Sequence, residues 1–203
     1  YEYNSADSAD FARRKLEEAK QWFARCEEKL KTLKGIRTVM IGTSPYDQTS
    51  TFNNDIFAHK NDNMQRVIAV QKEAADRNGW KFLDFNAPMV ALNKKLQQTD
   101  PAFTIIGSDR IHPDNDGHMV MAYLFLQAQG MVGKKVADMQ IDATNGKTTK
   151  SENCRISKIR LTDEGVQFDC LASSLPFPLD TISHGWGFSH GSAQVTRIIP
   201  SLS

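Results

Sequence analysis

The chain has 203 residues, 40% of them hydrophobic and 24% charged, which is enough apolar material for one domain or for one domain with a small appendage. Its 25 Lys and Arg residues stand against 24 Asp and Glu residues, so the formal net charge is +1. Such a balance does not indicate a nucleic-acid or membrane-surface partner. No apolar run approaches the roughly 20 residues of a membrane span, and we find no internal repeat or low-complexity segment.

The first part of the chain alternates between helix and strand patterns. An amphipathic helix is predicted from about residue 9 to 34, because apolar side chains recur at spacings of three and four and Gly35 ends the pattern. The continuous apolar run 38–41 predicts a strand buried on both faces. The later elements are predicted at residues 62–77 (helix), 80–85 (strand), 88–96 (helix) and 117–129 (helix). This order predicts a parallel sheet with helices on its faces.

Beyond residue 133 the pattern becomes β-like. Residues 135–143 and 154–171 have strand character, with a turn signal at 162–165. The tail 172–203 mixes Pro, Gly, His and Ser. We therefore expect a helix-and-strand domain over residues 1–133 and a β-rich extension with a loop tail over residues 134–203.

Three cysteines are present, and an odd number is not a disulfide framework. Cys26 lies on the apolar stripe of the first helix and is predicted to be a buried thiol. Cys154 and Cys170 flank the predicted hairpin. They could form a disulfide in an extracytoplasmic protein, or remain two unpaired strand cysteines, because a disulfide needs specific geometry.

The strongest chemical signal is Asp109 three residues before His112, on a loop that follows the apolar run 103–106 and precedes a helix. On such a loop the carboxylate can accept a hydrogen bond from one imidazole nitrogen. That bond fixes the tautomer and stabilises the imidazolium when the other nitrogen takes a proton from a nucleophile. The simpler alternative is that Asp109 is a turn or capping residue and His112 a surface residue, since short motifs also match by chance.

Residues 109–119 have the sequence DRIHPDNDGHM, and an apolar helix is predicted to follow them. This segment resembles the last signature block of the SGNH (GDSL-type) hydrolases. This resemblance implies a serine esterase or lipase with a three-layer α/β/α, flavodoxin-like fold. Asp109 and His112 would then be two members of a catalytic triad, the first as orienter and the second as general base. His118 matches the family's common Gly-His position and is interpreted as structural.

The other signature motifs of the family are absent from this sequence. The first missing block is the Gly-Asp-Ser that contains the nucleophile, the second is a block that contributes a Gly, and the third is Gly-x-Asn-Asp. In the family, the oxyanion hole consists of the backbone N–H of the Ser together with the Gly and the Asn. The resemblance therefore covers about residues 1–133, as the latter half of a catalytic domain. It implies a truncated SGNH hydrolase, inactive alone, with the nucleophilic Ser upstream of Tyr1.

Other candidate nucleophiles and ligands are weaker. Ser189 lies in a Gly-x-Ser-x-Gly pattern, but residues 179–187 before it are not strand-like in sequence and no acid or His follows His190, so a Gly-rich loop is favoured. Ser44 follows a strand, where Ser is more often a turn or capping residue. His184 and His190 are two loop histidines, which more often bind no metal.

The resemblance implies ester hydrolysis by acyl transfer without a metal or an organic cofactor. The expected partner is a small-molecule or glycan ester, with an acetylated sugar or glycan as the family-level expectation. The alternative is a non-catalytic carbohydrate-binding or interaction module on a degenerate SGNH scaffold. The family analogy favours a periplasmic or secreted location, and the sequence does not define the oligomeric state.

Overall fold

The structure is a computed structural model that describes residues 9–54 and 56–174. These residues form two compact units, 9–129 and 130–174. The described part of the first unit has four helices and a two-stranded sheet, and that of the second has two two-stranded sheets. The predicted mixed α/β class is confirmed. None of the described helices has the length and apolar character needed to cross a membrane.

In the first unit the elements alternate as the sequence predicts. Strands β1 and β2 pair in parallel, with Val39 opposite Lys81 and Gly42 opposite Asp84. Their carboxyl ends therefore lie at one edge of the sheet. A three-layer arrangement stays a prediction. The elements are α1 (Ala9–Lys31), β1 (Val39–Gly42), α2 (Lys60–Asn78), β2 (Lys81–Asp84), α3 (Asn86–Gln97) and α4 (Asn115–Ala128).

Two expectations about burial are wrong. The run 38–41 is not buried on both faces, because Val39 and Ile41 are 47% and 39% exposed. Side chains alternate between the two faces of a strand, so Val39 and Ile41 share one face, whereas Ile68 of α2 packs near Gly42 on the other. Cys26 is exposed instead of buried. The next residue of α1, Glu27, is buried instead, because successive helical residues project about 100° apart and therefore face different sides.

The hydrophobic core of the first unit surrounds the run that leads to the Asp-His loop. Phe103, Ile105 and Ile106 are at most 1% exposed, so the chain enters that loop from a fixed position. Each fully buried side chain of this kind contributes about 1.5–3 kcal/mol. The core consists of Leu83, Phe85, Met89, Leu92, Leu96, Phe103, Ile105, Ile106, Val120 and Leu124.

A buried carboxylate joins α1 to α2. Glu27 is 4% exposed and accepts two hydrogen bonds from Arg77, at 3.0 and 2.6 Å, and one from Asn78 at 2.7 Å. Lys31 lies 3.2 Å away on the same helix. The hydrogen bonds from Arg77, then Asn78, outweigh the opposing effect of burial and lower the pKa of Glu27 from 4.5 to about 2. The folded state therefore favours the ionised carboxylate.

We expect Glu27→Gln to lower the free energy of unfolding at pH 7 by about 2 kcal/mol, the scale of lost hydrogen bonds to a charged group. A lowered pKa stabilises the folded state above the unfolded value of 4.5, and this contribution is lost as the pH falls through about 2. Urea denaturation at several pH values should show the difference from wild type shrinking below about pH 4.5. The control is Glu28→Gln, an exposed neighbour whose carboxylate accepts a hydrogen bond from Lys31. An equal loss in both variants would contradict this account.

The second unit consists of two antiparallel pairs, β3 with β4 and β5 with β6. Strand β4 was not predicted, because its sequence, KTTKSE, lacks apolar alternation. Cys154 lies opposite Ala172 and Cys170 opposite Ile156, and both are free thiols. The strands are β3 (Asp138–Asp142), β4 (Lys147–Glu152), β5 (Cys154–Thr162) and β6 (Gly165–Ala172).

Candidate active site

Asp109 and His112 form a hydrogen-bonded pair on the loop between the buried run 103–106 and α4. Nδ1 of His112 lies 2.5 Å from Oδ2 of Asp109. The other carboxylate oxygen accepts the backbone N–H groups of Ile111 and His112, each at 2.9 Å. One carboxylate thus holds both the ring and the backbone of the turn. The side chains of His112 and Asp109 are 61% and 49% exposed, so a reactant can reach them.

The surroundings of Asp109 keep its carboxyl group ionised. Burial alone would raise the pKa of Asp109, but the hydrogen bonds from the His112 ring and from the backbone of His112 and Ile111 outweigh it. The pKa of Asp109 therefore lies below its ordinary value. An ionised carboxylate beside Nδ1 favours the tautomer with the proton on Nδ1, which leaves Nε2 able to accept a proton.

Close backbone contacts shape the loop that carries the pair. The N–H of Gly107 donates to the carbonyl oxygen of His112 at 2.7 Å, and the N–H of Arg110 donates to that of Gly107 at 2.8 Å. A Cβ atom at position 107 would lie 2.9 Å from the His112 oxygen, so glycine is required for this approach. Arg110 has φ of 63°, a left-handed conformation that costs a non-glycine residue about 1–2 kcal/mol.

The start of α4 is packed against the strand-like run before the loop. Asp114 caps the helix by accepting the N–H groups of Asp116 and Gly117. A Cβ atom at Gly117 would lie 2.2 Å from the carbonyl oxygen of Ile105, so only glycine allows this packing. His118 is exposed, and its predicted structural role stays a prediction.

The side chain of Arg110 connects the Asp-His loop to residues 47–53. It is 1% exposed, and its Nη1 donates to the carbonyl oxygens of Asp47 and Ser50, both at 3.0 Å. Nη2 and Nε donate to Asn53 at 2.7 to 3.0 Å. The guanidinium carbon lies 4.3 Å from the centre of the Phe52 ring. Sequence reasoning missed this contact, because backbone acceptors leave no side-chain pattern.

The segment 47–53 is itself tied to α3 by a buried carboxylate. Asp47 is 3% exposed, and its Oδ1 accepts the N–H groups of Thr49 and Ser50 at 2.9 and 3.0 Å. Its Oδ2 accepts hydrogen bonds from Asn93 and Gln97 at 3.2 and 3.4 Å. The spacing of Asp47 two residues before Thr49 is typical of an Asx-turn and was the available sequence signal.

A polar cavity of about 110 Å³ lies between loop 43–54, the start of α2, and α3. Drug-sized ligands occupy pockets of about 300–1,000 Å³, so this cavity has the size for a few waters and not for a glycan. Its walls are mostly amide and carboxylate side chains, among them Asp47, Gln48, Asn61, Gln65 and Asn93.

A buried lysine interacts electrostatically with Asp109. Lys60, the first residue of α2, is 4% exposed. Its ammonium group lies 4.5 Å from the Tyr46 ring centre and 5.6 Å from that of Phe57. Burial lowers the pKa of Lys60, and the negative charge of Asp109 opposes that effect. Positive charge on Lys60 therefore favours the ionised form of Asp109.

Of the remaining sequence candidates, Ser44 is the one that lies in the described part of the chain. Ser44 is half-buried in the loop after β1. Ser189, His184 and His190 lie outside the described residues. Within residues 9–54 and 56–174, no group of three or more His, Cys, Asp or Glu side chains could hold a metal ion.

Comparison with known proteins gives one close structural likeness. No family model and no curated protein matches the chain. BT4096, a gut microbial diltiazem-metabolizing enzyme, is 51% identical over 98% of the chain and 46% of its own length, with a TM-score of 0.87. The chain therefore has the fold of the corresponding part of that enzyme, and it spans about half the length of the solved structures it matches.

Two further solved structures are more distant. LAE5, an alpha/beta hydrolase from the metagenome of Lake Arreo in Spain, is 23% identical over 61% of the chain and 49% of its own length, with a TM-score of 0.40. A catalytic mutant of Axe2, an acetylxylan esterase from Geobacillus stearothermophilus, is 20% identical over 59% of the chain and 50% of its own length, with a TM-score of 0.45. These TM-scores are too low to show a common fold.

Proposed function

We propose that the chain is the latter half of the catalytic domain of an SGNH-type serine ester hydrolase, with residues 134–203 as an extension. Asp109 orients His112, and His112 is the general base. The observation that carries the proposal is the 2.5 Å hydrogen bond from His112 to an ionised Asp109 on an accessible loop. The 51% identity to an enzyme over almost the whole chain supports catalysis as the role of the complete protein.

In the proposed reaction the nucleophile is a Ser upstream of Tyr1. His112 Nε2 takes the Ser hydroxyl proton as the oxygen attacks the ester carbonyl, and the tetrahedral intermediate forms. The imidazolium then gives this proton to the leaving alkoxide, so the acyl group remains on the Ser. Water, deprotonated by the same nitrogen, releases the acid and restores the Ser. Asp109 stays ionised and holds the ring throughout.

The proposed substrate is an acyl ester, with an acetyl group on a carbohydrate or another small alcohol as the first class to test. The proposed mechanism uses no metal and no organic cofactor, because charge on the substrate oxygen is stabilised by hydrogen-bond donors. The alternative function is a non-catalytic carbohydrate-binding or interaction module on the same scaffold. In that case Asp109 and His112 only hold the loop.

The test is to read the gene upstream of Tyr1 and to assay the complete protein with 4-nitrophenyl acetate, an acetylated xylan fragment and diltiazem. We expect a strand followed by Gly-Asp-Ser, hydrolysis of at least one ester, and loss of hydrolysis when that Ser is replaced by Ala. A gene without such a Ser, together with no release of 4-nitrophenol or acetate, would overturn the esterase proposal. Retention of xylan by that inactive protein would then favour the binding module.

A further inference from the structure

Arg110 lies between Asp109 and His112 in sequence, but its side chain takes no part in their hydrogen bond. The guanidinium is 1% exposed and makes five hydrogen bonds to oxygens of Asp47, Ser50 and Asn53. An arginine side chain has five N–H donors, so its full donor capacity is used.

The acceptors indicate that geometry, and not charge pairing, fixes this side chain. All five hydrogen bonds end on neutral oxygens, three of them backbone carbonyls and the others the Asn53 amide. A planar fork can satisfy acceptors on several sides at once, whereas a lysine ammonium has three donors at one point. A Lys at position 110 could therefore keep the charge but not the set of contacts.

The backbone of Arg110 is where the chain turns back between the two residues of the pair. It has φ of 63°, its N–H donates to Gly107, and its carbonyl oxygen accepts the N–H of Asp47 at 2.9 Å. The turn brings the N–H groups of Ile111 and His112 onto the carboxylate of Asp109. Side chain and backbone of Arg110 are thus both held by the segment that starts at Asp47, and a strained conformation persists only when its surroundings determine it.

We propose that Arg110 is a positioning residue for the Asp109–His112 pair. Its guanidinium anchors the left-handed turn to residues 47–53 and thereby sets the distance between the carboxylate and the imidazole. The effect on catalysis rests on the proposed function. The effect on the His112–Asp109 hydrogen bond does not, and it can be measured in a protein without any activity.

The test compares Arg110→Lys and Arg110→Met with wild type in the complete protein. Proton NMR reads the strongly deshielded Nδ1 proton of His112, assigned by its loss in His112→Gln, and kinetics give kcat and KM for 4-nitrophenyl acetate. We expect both variants to lose or weaken the deshielded signal. We also expect kcat to fall about 10- to 100-fold, as small misplacements of catalytic groups do, with KM within about twofold. Arg13→Met, on the exposed side of α1, is the control and should match wild type.

Asn53→Ala keeps the test decisive if the Arg110 variants fail to fold. It removes the amide oxygen that accepts two of the five hydrogen bonds, together with a long 3.5 Å hydrogen bond from the Asn53 amide to the Ser108 carbonyl, and leaves the three carbonyl contacts. We expect a folded protein with a weaker deshielded signal and a smaller fall in kcat. A folded Arg110 or Asn53 variant with an unchanged signal would overturn the proposal, as would the absence of the signal in wild type. If the complete protein hydrolyses no ester, the esterase proposal fails while the signal still decides the role of Arg110.

Discussion

Replacing His112 with Gln is expected to lower kcat for ester hydrolysis by about 10⁴- to 10⁶-fold in the complete protein, with little change in KM. Losing a general base that acts with a serine nucleophile has an effect of this size. Glutamine retains polar atoms near the ring position but cannot take the Ser proton at neutral pH. Steady-state kinetics with 4-nitrophenyl acetate measure the loss, and circular dichroism checks that the fold is kept.

The chain contains a matched control for this experiment. His59 is also bonded through Nδ1 to an Asp three residues away, at 3.0 Å from Asp62, and its side chain is 82% exposed. His59→Gln should leave kcat within about twofold, because this second pair has no proposed role in catalysis. Equal losses in His59→Gln and His112→Gln, or none in either, would contradict the role of His112 as general base.

Replacing Asp109 with Asn is expected to lower kcat by about 10⁴-fold, the effect known for the orienting carboxylate of a serine triad. The amide can hold the ring in the wrong tautomer, and it lacks the negative charge that stabilises the imidazolium. The protein should remain folded, since Asn can still accept the N–H groups of Ile111 and His112. Asp62→Asn is the control, and a loss there as large as in Asp109→Asn would contradict the assignment.

The pH dependence of wild type gives an independent check on Asp109. The pKa of Asp109 lies below its ordinary value, so its carboxylate is ionised wherever a neutral His112 can act as base, and the check is made on folding stability by urea denaturation at several pH values. The contribution of Asp109 to folding stability is present above its unfolded pKa, and it is lost as the pH falls through its lower folded pKa.

The pair itself could be predicted from sequence, because its geometry is local. An Asp three residues before a His, between a buried run and a capped helix, is enough to place carboxylate and imidazole together, and the structure has them in contact. The helices could also be predicted, since their apolar spacing is a property of single segments. The catalytic roles of Asp109 and His112 stay proposals.

The errors concern properties that depend on neighbours. Burial of Val39 and Ile41 depends on what packs on their face of β1, and a single segment does not contain that information. The contact of Arg110 with residues 47–53 joins positions far apart in sequence through backbone oxygens, which every residue has. Strand β4 forms against β3 despite a polar sequence, because pairing partners override local propensity.

The central claim, that His112 serves a Ser outside this chain, is tested most directly by labelling the complete protein with a fluorophosphonate and locating the adduct by peptide mass spectrometry. The account predicts a single adduct on a Gly-Asp-Ser serine N-terminal to Tyr1, formed far more slowly in His112→Gln than in wild type. An adduct on Ser189 or Ser44, or no adduct on a folded and complete protein, would contradict it.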